Sequence, residues 1–300
     1  MNNEFENGCA FIGGKYVPLE KATMPLTDWG FLRGDCVYDA IPFSDGRLFR
    51  LNDHIDRFRE SMSKWRLNSP LSKDDVRAVC HACVSKAQLR DGLLLVITTR
   101  GTPPSLDIRN PALFENRFYA MAQVLPPIAT PENMTNGLRV VISNVPRVPQ
   151  ESVDSTAKNF QWGDLIQARL EAHDADVDNA ILLDFDGNLT EGPGFNVFIV
   201  KGKVVSTPAK HCLKGITRDT VIQIAVAQGL TVEERDIPVD ELFAADEAMF
   251  STSAGCVMPV TEVDGKTIGS GTRGPIAAAI VEEYWKRRAD PAYSEAVVYE

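Results

Sequence analysis

The chain lacks a long apolar segment, is poor in cysteine and is short of positive charge, and each shortage removes a class of function. A membrane-spanning helix needs roughly 20 consecutive apolar residues, whereas the aliphatic run Leu93–Ile97 is the size of a strand. The opening Met1–Gly8 is polar and acidic, unlike the basic-then-apolar start of a secretory leader. A cytoplasmic protein without membrane contact is therefore expected. With 41 acidic against 31 basic residues the net charge is -10, which speaks against a general nucleic-acid surface, because phosphate backbones demand clustered cations. A small phosphate-bearing ligand is still allowed, since one or two cations and a few backbone N–H groups suffice for it.

Six cysteines are too few for a disulfide scaffold. Cys80 and Cys83 form a C-x-x-C, but no second ligand pair lies near them for zinc, and Val84 stands where haem attachment requires histidine. Both fall in Ser72–Leu89, where Val76, Val79, Cys80, Cys83, Val84 and Ala87 recur at helical spacing. The thiols are expected to be core packing, and no metal site is expected.

What is present is the composition of an ordinary globular protein of about two domains, 44% apolar and 24% charged. Short strands are expected at Cys9–Ile12, Lys15–Pro18, Val37–Phe43 and Arg47–Phe49. Leu51, Ile55, Phe58, Met62 and Trp65 form one apolar stripe of a helix, with Asn52 or Asp53 as its cap. Ser72 and Asp75 read as a capping box for the next helix. Leu93–Arg100 and Arg117–Leu125 read as strands around the proline-containing loop Gly101–Asn116. Pro126, Pro127 and Pro131 then break the pattern. This gives a small α/β domain over 1–125, a linker over 126–136 and a larger domain over 137–300. In the larger domain Leu138–Val145, Ala180–Phe185, Phe195–Lys201 and Ala248–Thr252 read as strands, and helices are expected near 162–173, 217–228 and 275–288. The class is mixed α and β.

Four segments stand out chemically. They are Ala157–Asp164, with a lone lysine between a polar loop and a helix; Leu189–Asn196, with an acid beside two glycines; Leu213–Arg218, with a glycine opening a helix; and Phe250–Gly255, with hydroxyls at a strand end. Singly, each has an ordinary reading: a solvated lysine, a turn acid, a helix start, hydroxyls that satisfy backbone groups. In this order and spacing, together with Phe31–Asp35 and His54–Phe58, they resemble the class IV (fold type IV) aminotransferases over nearly the whole chain. The likeness is strongest to the (R)-selective amine transaminases, with D-amino-acid and branched-chain aminotransferases as relatives.

The resemblance implies a two-domain fold type IV enzyme with a pseudo-barrel in the larger domain, pyridoxal 5'-phosphate as cofactor and a homodimer. It implies that Lys158 holds the cofactor aldehyde through its amine. Glu191 pairs with the ring nitrogen. Gly215, Ile216 and Thr217 at a helix start, with Ser253 and Arg57, hold the phosphate. These jobs suit the residue types, since a helix N-terminus presents N–H groups and a positive dipole end to an anion. Phe31, Tyr38, Trp162 and Ala254 are assigned to the substrate pocket. The family's usual carboxylate devices are absent: Pro42 stands where branched-chain enzymes carry arginine, and Ser105-Leu106-Asp107 replaces the Arg-x-His of D-amino-acid transaminases. Arg33 and Arg109 are the candidates to bind a carboxylate instead, by a forked contact. The expected reaction moves an amino group from an (R)-amine or D-amino acid to a keto acid such as pyruvate by a ping-pong cycle. The alternatives are a branched-chain aminotransferase and a lyase resembling aminodeoxychorismate lyase.

Overall fold

The computed structural model describes residues 4–105, 107–125 and 128–299. Leu106, in the expected carboxylate loop, and Pro126 and Pro127, at the head of the expected linker, lie outside the described residues. The chain folds as two units, one of Met1–Pro126 with Ala157–Gln161 and Arg287–Glu300, the other of Pro127–Thr156 with Trp162–Lys286.

The first unit contains β1 (Cys9–Ile12), β2 (Lys15–Pro18), α1 (Trp29–Arg33), β3 (Cys36–Ser44), β4 (Arg47–Phe49), α2 (Leu51–Lys64), α3 (Lys73–Ala87), β5 (Gly92–Thr99) and β6 (Arg117–Gln123). Ser294–Ala296 adds an edge strand against β4, and the seven-stranded sheet runs from it through β4, β3, β5, β6 and β1 to β2. Side chains alternate between the faces of a strand. Val37, Ile41 and Phe43 of β3 and Leu94 and Val96 of β5 therefore face one way, and they form a single core with Leu51, Ile55, Phe58 and Met62 of α2 and Val76, Cys80, Cys83 and Val84 of α3. Both cysteines of the C-x-x-C are fully buried there as thiols. The Ser72–Asp75 capping box is formed. The cap expected for α2 is not: Arg50 occupies that position at φ 49 without a side-chain cap, and Asp53 pairs with the Arg50 guanidinium instead.

The second unit contains α4 (Pro131–Asn136), β7 (Leu138–Ile142), α5 (Gly163–Asp174), β8 (Asn179–Ile181), β9 (Glu191–Gly192), β10 (Phe195–Lys201), β11 (Val204–Pro208), α6 (Ile216–Ala227), β12 (Thr231–Arg235), α7 (Val239–Phe243), β13 (Glu247–Thr252), β14 (Cys256–Val263), β15 (Lys266–Thr267) and, as far as Lys286, α8 (Pro275–Ala289). Its nine-stranded sheet is ordered β12-β11-β10-β13-β14-β7-β8, with β9 on β10 and β15 on β14. One face packs Phe195, Val197, Ile199, Phe250, Met258 and Val260 into a second core, where the rings of Phe195 and Phe250 stack at 3.9 Å. Gly192 is glycine for a steric reason, because a Cβ there would lie 2.2 Å from the Phe195 ring. Among the described residues no helix is long and apolar enough to cross a membrane, and no cluster of His, Cys, Asp or Glu could hold a metal.

Candidate active site

Lys158 belongs to the first unit, where Ala157–Gln161 runs along the edge of β3 left open beyond its short pairing with β4. The Tyr38 N–H donates to the Lys158 carbonyl at 2.9 Å, and Val37 bridges to Asn159. The Lys158 N–H donates to Ser61 Oγ on α2 at 3.0 Å. Its backbone is thus tied to a strand and to a helix, and its Nζ sits 4.5 Å from the centre of the Tyr38 ring. That ring is buried and stacks on Phe160 at 4.3 Å. By alternation Ala40 and Pro42 share the Tyr38 face, and their β5 partners Ile97, Leu95 and Leu93 continue it. From β3 to β5 this face carries no charged side chain.

Arg57 lies on α2 beside the apolar stripe and is 9% exposed. Its Nε and Nη2 each donate to one oxygen of Asp39 at 2.8 Å, a forked pair inside the unit. The same carboxylate meets His54 Nδ1 at 2.6 Å. Burial pushes the Asp39 carboxyl up, but the charge of Arg57 and the hydrogen bonds from His54 and Arg57 outweigh it and hold the group well below the usual carboxylate range. Burial, only partly opposed by Asp39, depresses His54, so its imidazole is neutral at pH 7. Its Nε2 is buried without a hydrogen-bond partner among the described residues.

In the second unit, Glu191 of β9, Asn196 of β10 and Ser251 of β13 are direct cross-strand partners and share one face. Glu191 is 6% exposed. Arg147 Nε and Nη2 both stand 3.0 Å from its Oε1, and the Leu213 N–H donates to Oε2 at 2.9 Å. Arg147 also donates from Nη1 to Asp164 Oδ2 at 2.6 Å. Burial works against the charge of Arg147, but Glu191 and Asp164 more than compensate and raise its pKa above the ordinary value. Asn196 donates from Nδ2 to the Leu213 carbonyl at 2.8 Å.

Gly215 is the N-cap of α6 and gives it no side-chain cap. A Cβ on Gly215 would stand 2.3 Å from Asn196 Oδ1. Ile216 and Thr217 fill the first helical positions and are buried. Ser251 Oγ is buried with no partner among the described residues. Ser253 and Ala254 are half-buried in the turn after β13, where the Ala254 N–H donates to Thr252 Oγ1 at 3.3 Å. Trp162 caps α5 and lies 3.4 Å from where a Cβ on Gly194 would be.

The pocket residues expected on the first unit are more open. Phe31 is 61% exposed on α1, and Arg33, also exposed, reaches over the Trp29 ring at 5.8 Å. Arg109 is exposed in the loop before the Pro111–Leu113 turn. Arg100, by contrast, is buried and spent on Asp35 and on the carbonyls of Trp65 and Arg66.

Several residues of these clusters carried no expectation from the sequence. Asp39 had a signal, because it shares a core-facing side of a strand with Val37 and Ile41, where an acid is out of place unless paired. His54 and Ser61 stand three residues before and four after the expected Arg57, next to the apolar stripe, a pattern of one buried polar row. Arg147 and Asn196 had none, since their partners are distant in sequence.

A family model described as "Amino-transferase class IV" matches residues 36–263. A putative branched-chain-amino-acid aminotransferase of Methanocaldococcus jannaschii is 33% identical over 91% of this chain and 94% of its own length. A D-alanine aminotransferase of Bacillus licheniformis is 31% identical over 88% and 92%. The solved T.th. branched-chain amino acid aminotransferase with pyridoxamine 5'-phosphate superposes with a TM-score of 0.91 at 27% identity, over 98% of this chain and 100% of that one. With the family model spanning most of the chain and a relative above 30% identity along nearly all of it, the chain belongs to the class IV aminotransferases, the pyridoxal-phosphate-dependent transaminases of fold type IV.

Proposed function

We propose that this transaminase takes the amino group of an apolar (R)-amine or D-amino acid and delivers it to a keto acid such as pyruvate in a ping-pong cycle. One observation carries the choice of an apolar donor: the face beside the Lys158 amine, from Tyr38, Ala40 and Pro42 to Leu93, Leu95 and Ile97, is uncharged. The (R) and D preference rests on the likeness of Lys158–Leu165 and Thr190–Val197 to the (R)-selective enzymes.

The residues fit a flat heteroaromatic ring with a phosphate tail. Glu191 offers a buried, arginine-compensated carboxylate, α6 offers a helix N-terminus without a side-chain cap, and Ser251 offers a buried hydroxyl with no partner among the described residues. Bound there, pyridoxal phosphate supplies an aldehyde that takes up the amino group and a ring that draws electrons from the substrate Cα. Lys158 holds it through Nζ and, once released, carries a proton at the substrate Cα. Glu191 keeps the ring nitrogen protonated. Gly215, Ile216, Thr217, Ser253 and Arg57 hold the phosphate. Tyr38, Trp162, Phe31 and Ala254 wall the pocket, and Arg33 or Arg109 receives the acceptor's carboxylate. The exposed Met24, Leu26, Phe31 and Leu32 support a homodimer, which light scattering after gel filtration tests.

The same apolar face suits a leucine side chain, and the Methanocaldococcus jannaschii relative carries the branched-chain name; L-branched-chain transamination is therefore the second reading. Both enantiomers of alanine, leucine and 1-phenylethylamine against pyruvate and 2-oxoglutarate separate the two. Turnover confined to D or (R) donors supports the first, and L-leucine with 2-oxoglutarate as the best pair replaces it with the second. Release of 4-aminobenzoate from aminodeoxychorismate without a keto acid would point to the lyase. In every case Lys158→Ala is expected to abolish turnover and the yellow colour.

A further inference from the structure

Glu191 and Asn196 grip the same peptide from opposite ends. Glu191 Oε2 accepts the Leu213 N–H at 2.9 Å, and Asn196 Nδ2 donates to the Leu213 carbonyl at 2.8 Å. That carbonyl also accepts the Gly215 N–H at 3.0 Å, which closes the turn directly before α6. Asn196 is 4% exposed, and its Oδ1 occupies the space into which a Cβ on Gly215 would project, at 2.3 Å. Its partner across the sheet, Ser251, holds on the same face a buried hydroxyl with no partner among the described residues. A helix start fixed only by its own loop would drift with that loop. This one is fastened to two adjacent strands.

We propose that Asn196 is a positioning residue that fastens the Leu213–Gly215 turn to β10 and so sets the N-terminus of α6 at a fixed distance from Glu191. The inference rests on the assignment of α6 to the cofactor phosphate and of Glu191 to its ring nitrogen. Under that assignment Asn196 acts through the Leu213 peptide and fixes the spacing between the two anchors. Its loss costs the phosphate contribution to binding and spares the ring contribution.

The test compares pyridoxal phosphate with pyridoxal, which lacks the phosphate, by absorbance titration of the cofactor-free full chain. Asn196→Asp keeps the shape but turns a donor into a second acceptor facing the Leu213 carbonyl. It is expected to weaken pyridoxal phosphate about tenfold or more, as for loss of one buried hydrogen bond, and to change pyridoxal by less than about twofold. Gly215→Ala, which drives a methyl group against Asn196 Oδ1, is expected to give the same split. The double variant Asn196→Ala/Gly215→Ala should bind no worse than Asn196→Ala alone, because the clash disappears with the asparagine side chain. Equal losses for both ligands, an unchanged pyridoxal phosphate affinity, or additive losses in the double variant would overturn the proposal. Failure of the unsubstituted protein to bind pyridoxal phosphate would instead overturn the cofactor assignment beneath it. If Asn196→Asp does not fold, the Gly215→Ala and double-variant comparison decides alone.

Discussion

Arg147 joins two buried acids: two of its nitrogens lie 3.0 Å from Glu191 Oε1, and a third lies 2.6 Å from Asp164 Oδ2. Each acid is also tied to backbone, Glu191 to Leu213 and Asp164 to Val148. The arginine is the shared counter-charge of both.

Removing it strands two carboxylates away from water. Arg147→Met is expected to cost about 3–5 kcal/mol, a fall in melting temperature on the order of 10 °C for a chain of this size. Arg147→Lys should recover only part of it, because a single ammonium cannot reproduce the fork. Thermal denaturation followed by circular dichroism reads both; a methionine variant melting like the parent would show that the network is not needed for stability.

Asp39→Asn tests the anchor of Arg57. The substitution keeps the volume but removes the charge from a carboxylate that makes two bonds of 2.8 Å to the guanidinium and one contact to His54. A loss of about 2–3 kcal/mol in urea unfolding is expected. If Arg57 serves the cofactor phosphate, affinity for pyridoxal phosphate falls as well, and a variant with unaltered binding would separate Arg57 from that role.

Acid sensitivity follows from His54, which titrates below its ordinary value in the fold because burial outweighs the pull of Asp39. The unfolded chain takes up that proton as the pH drops through about 6.5, while the folded chain does not. Stability therefore declines from pH 7 toward pH 5, by at most about 1.4 kcal/mol per pH unit from this group. Asp39 acts in the opposite range: its folded pKa is depressed, so its share is intact at neutral pH and disappears only below about pH 4. Melting temperatures from pH 5 to 7 should show a shallower slope for His54→Asn; an identical slope would exclude His54 as its source.

All six cysteines are buried thiols outside any disulfide. Burial pushes the thiols of Cys36 and Cys212 up to about 12, so neither accessibility nor acidity favours their reaction at neutral pH. A thiol-specific chromogenic reagent is expected to modify the native chain slowly and all six groups rapidly in denaturant. Fast labelling of the native protein would reveal local opening of the helices and strands that cover them.

The sequence by itself determined whatever depends on neighbours within a turn or two. Leu51, Ile55, Phe58 and Met62 define the buried stripe of α2 because side chains three and four apart share a helix face. Ser72 and Asp75 build their capping box from atoms a single turn apart. The order of the lysine, glutamate and glycine segments was legible for the same reason.

Only the tertiary structure decided what those segments meet. β14 was hidden by Pro259, which reads as a strand breaker; it is tolerated because the ladder to β7 begins only at Val260. β12 is a polar edge strand whose pairing with β11 no local pattern announces. Ser294–Ala296 returns to β4 across almost the whole chain, Arg147 finds Glu191 and Asp39 finds Arg57. Such pairings follow from the register of each sheet and the packing of its faces, and both come into being only when distant parts of the chain are brought together.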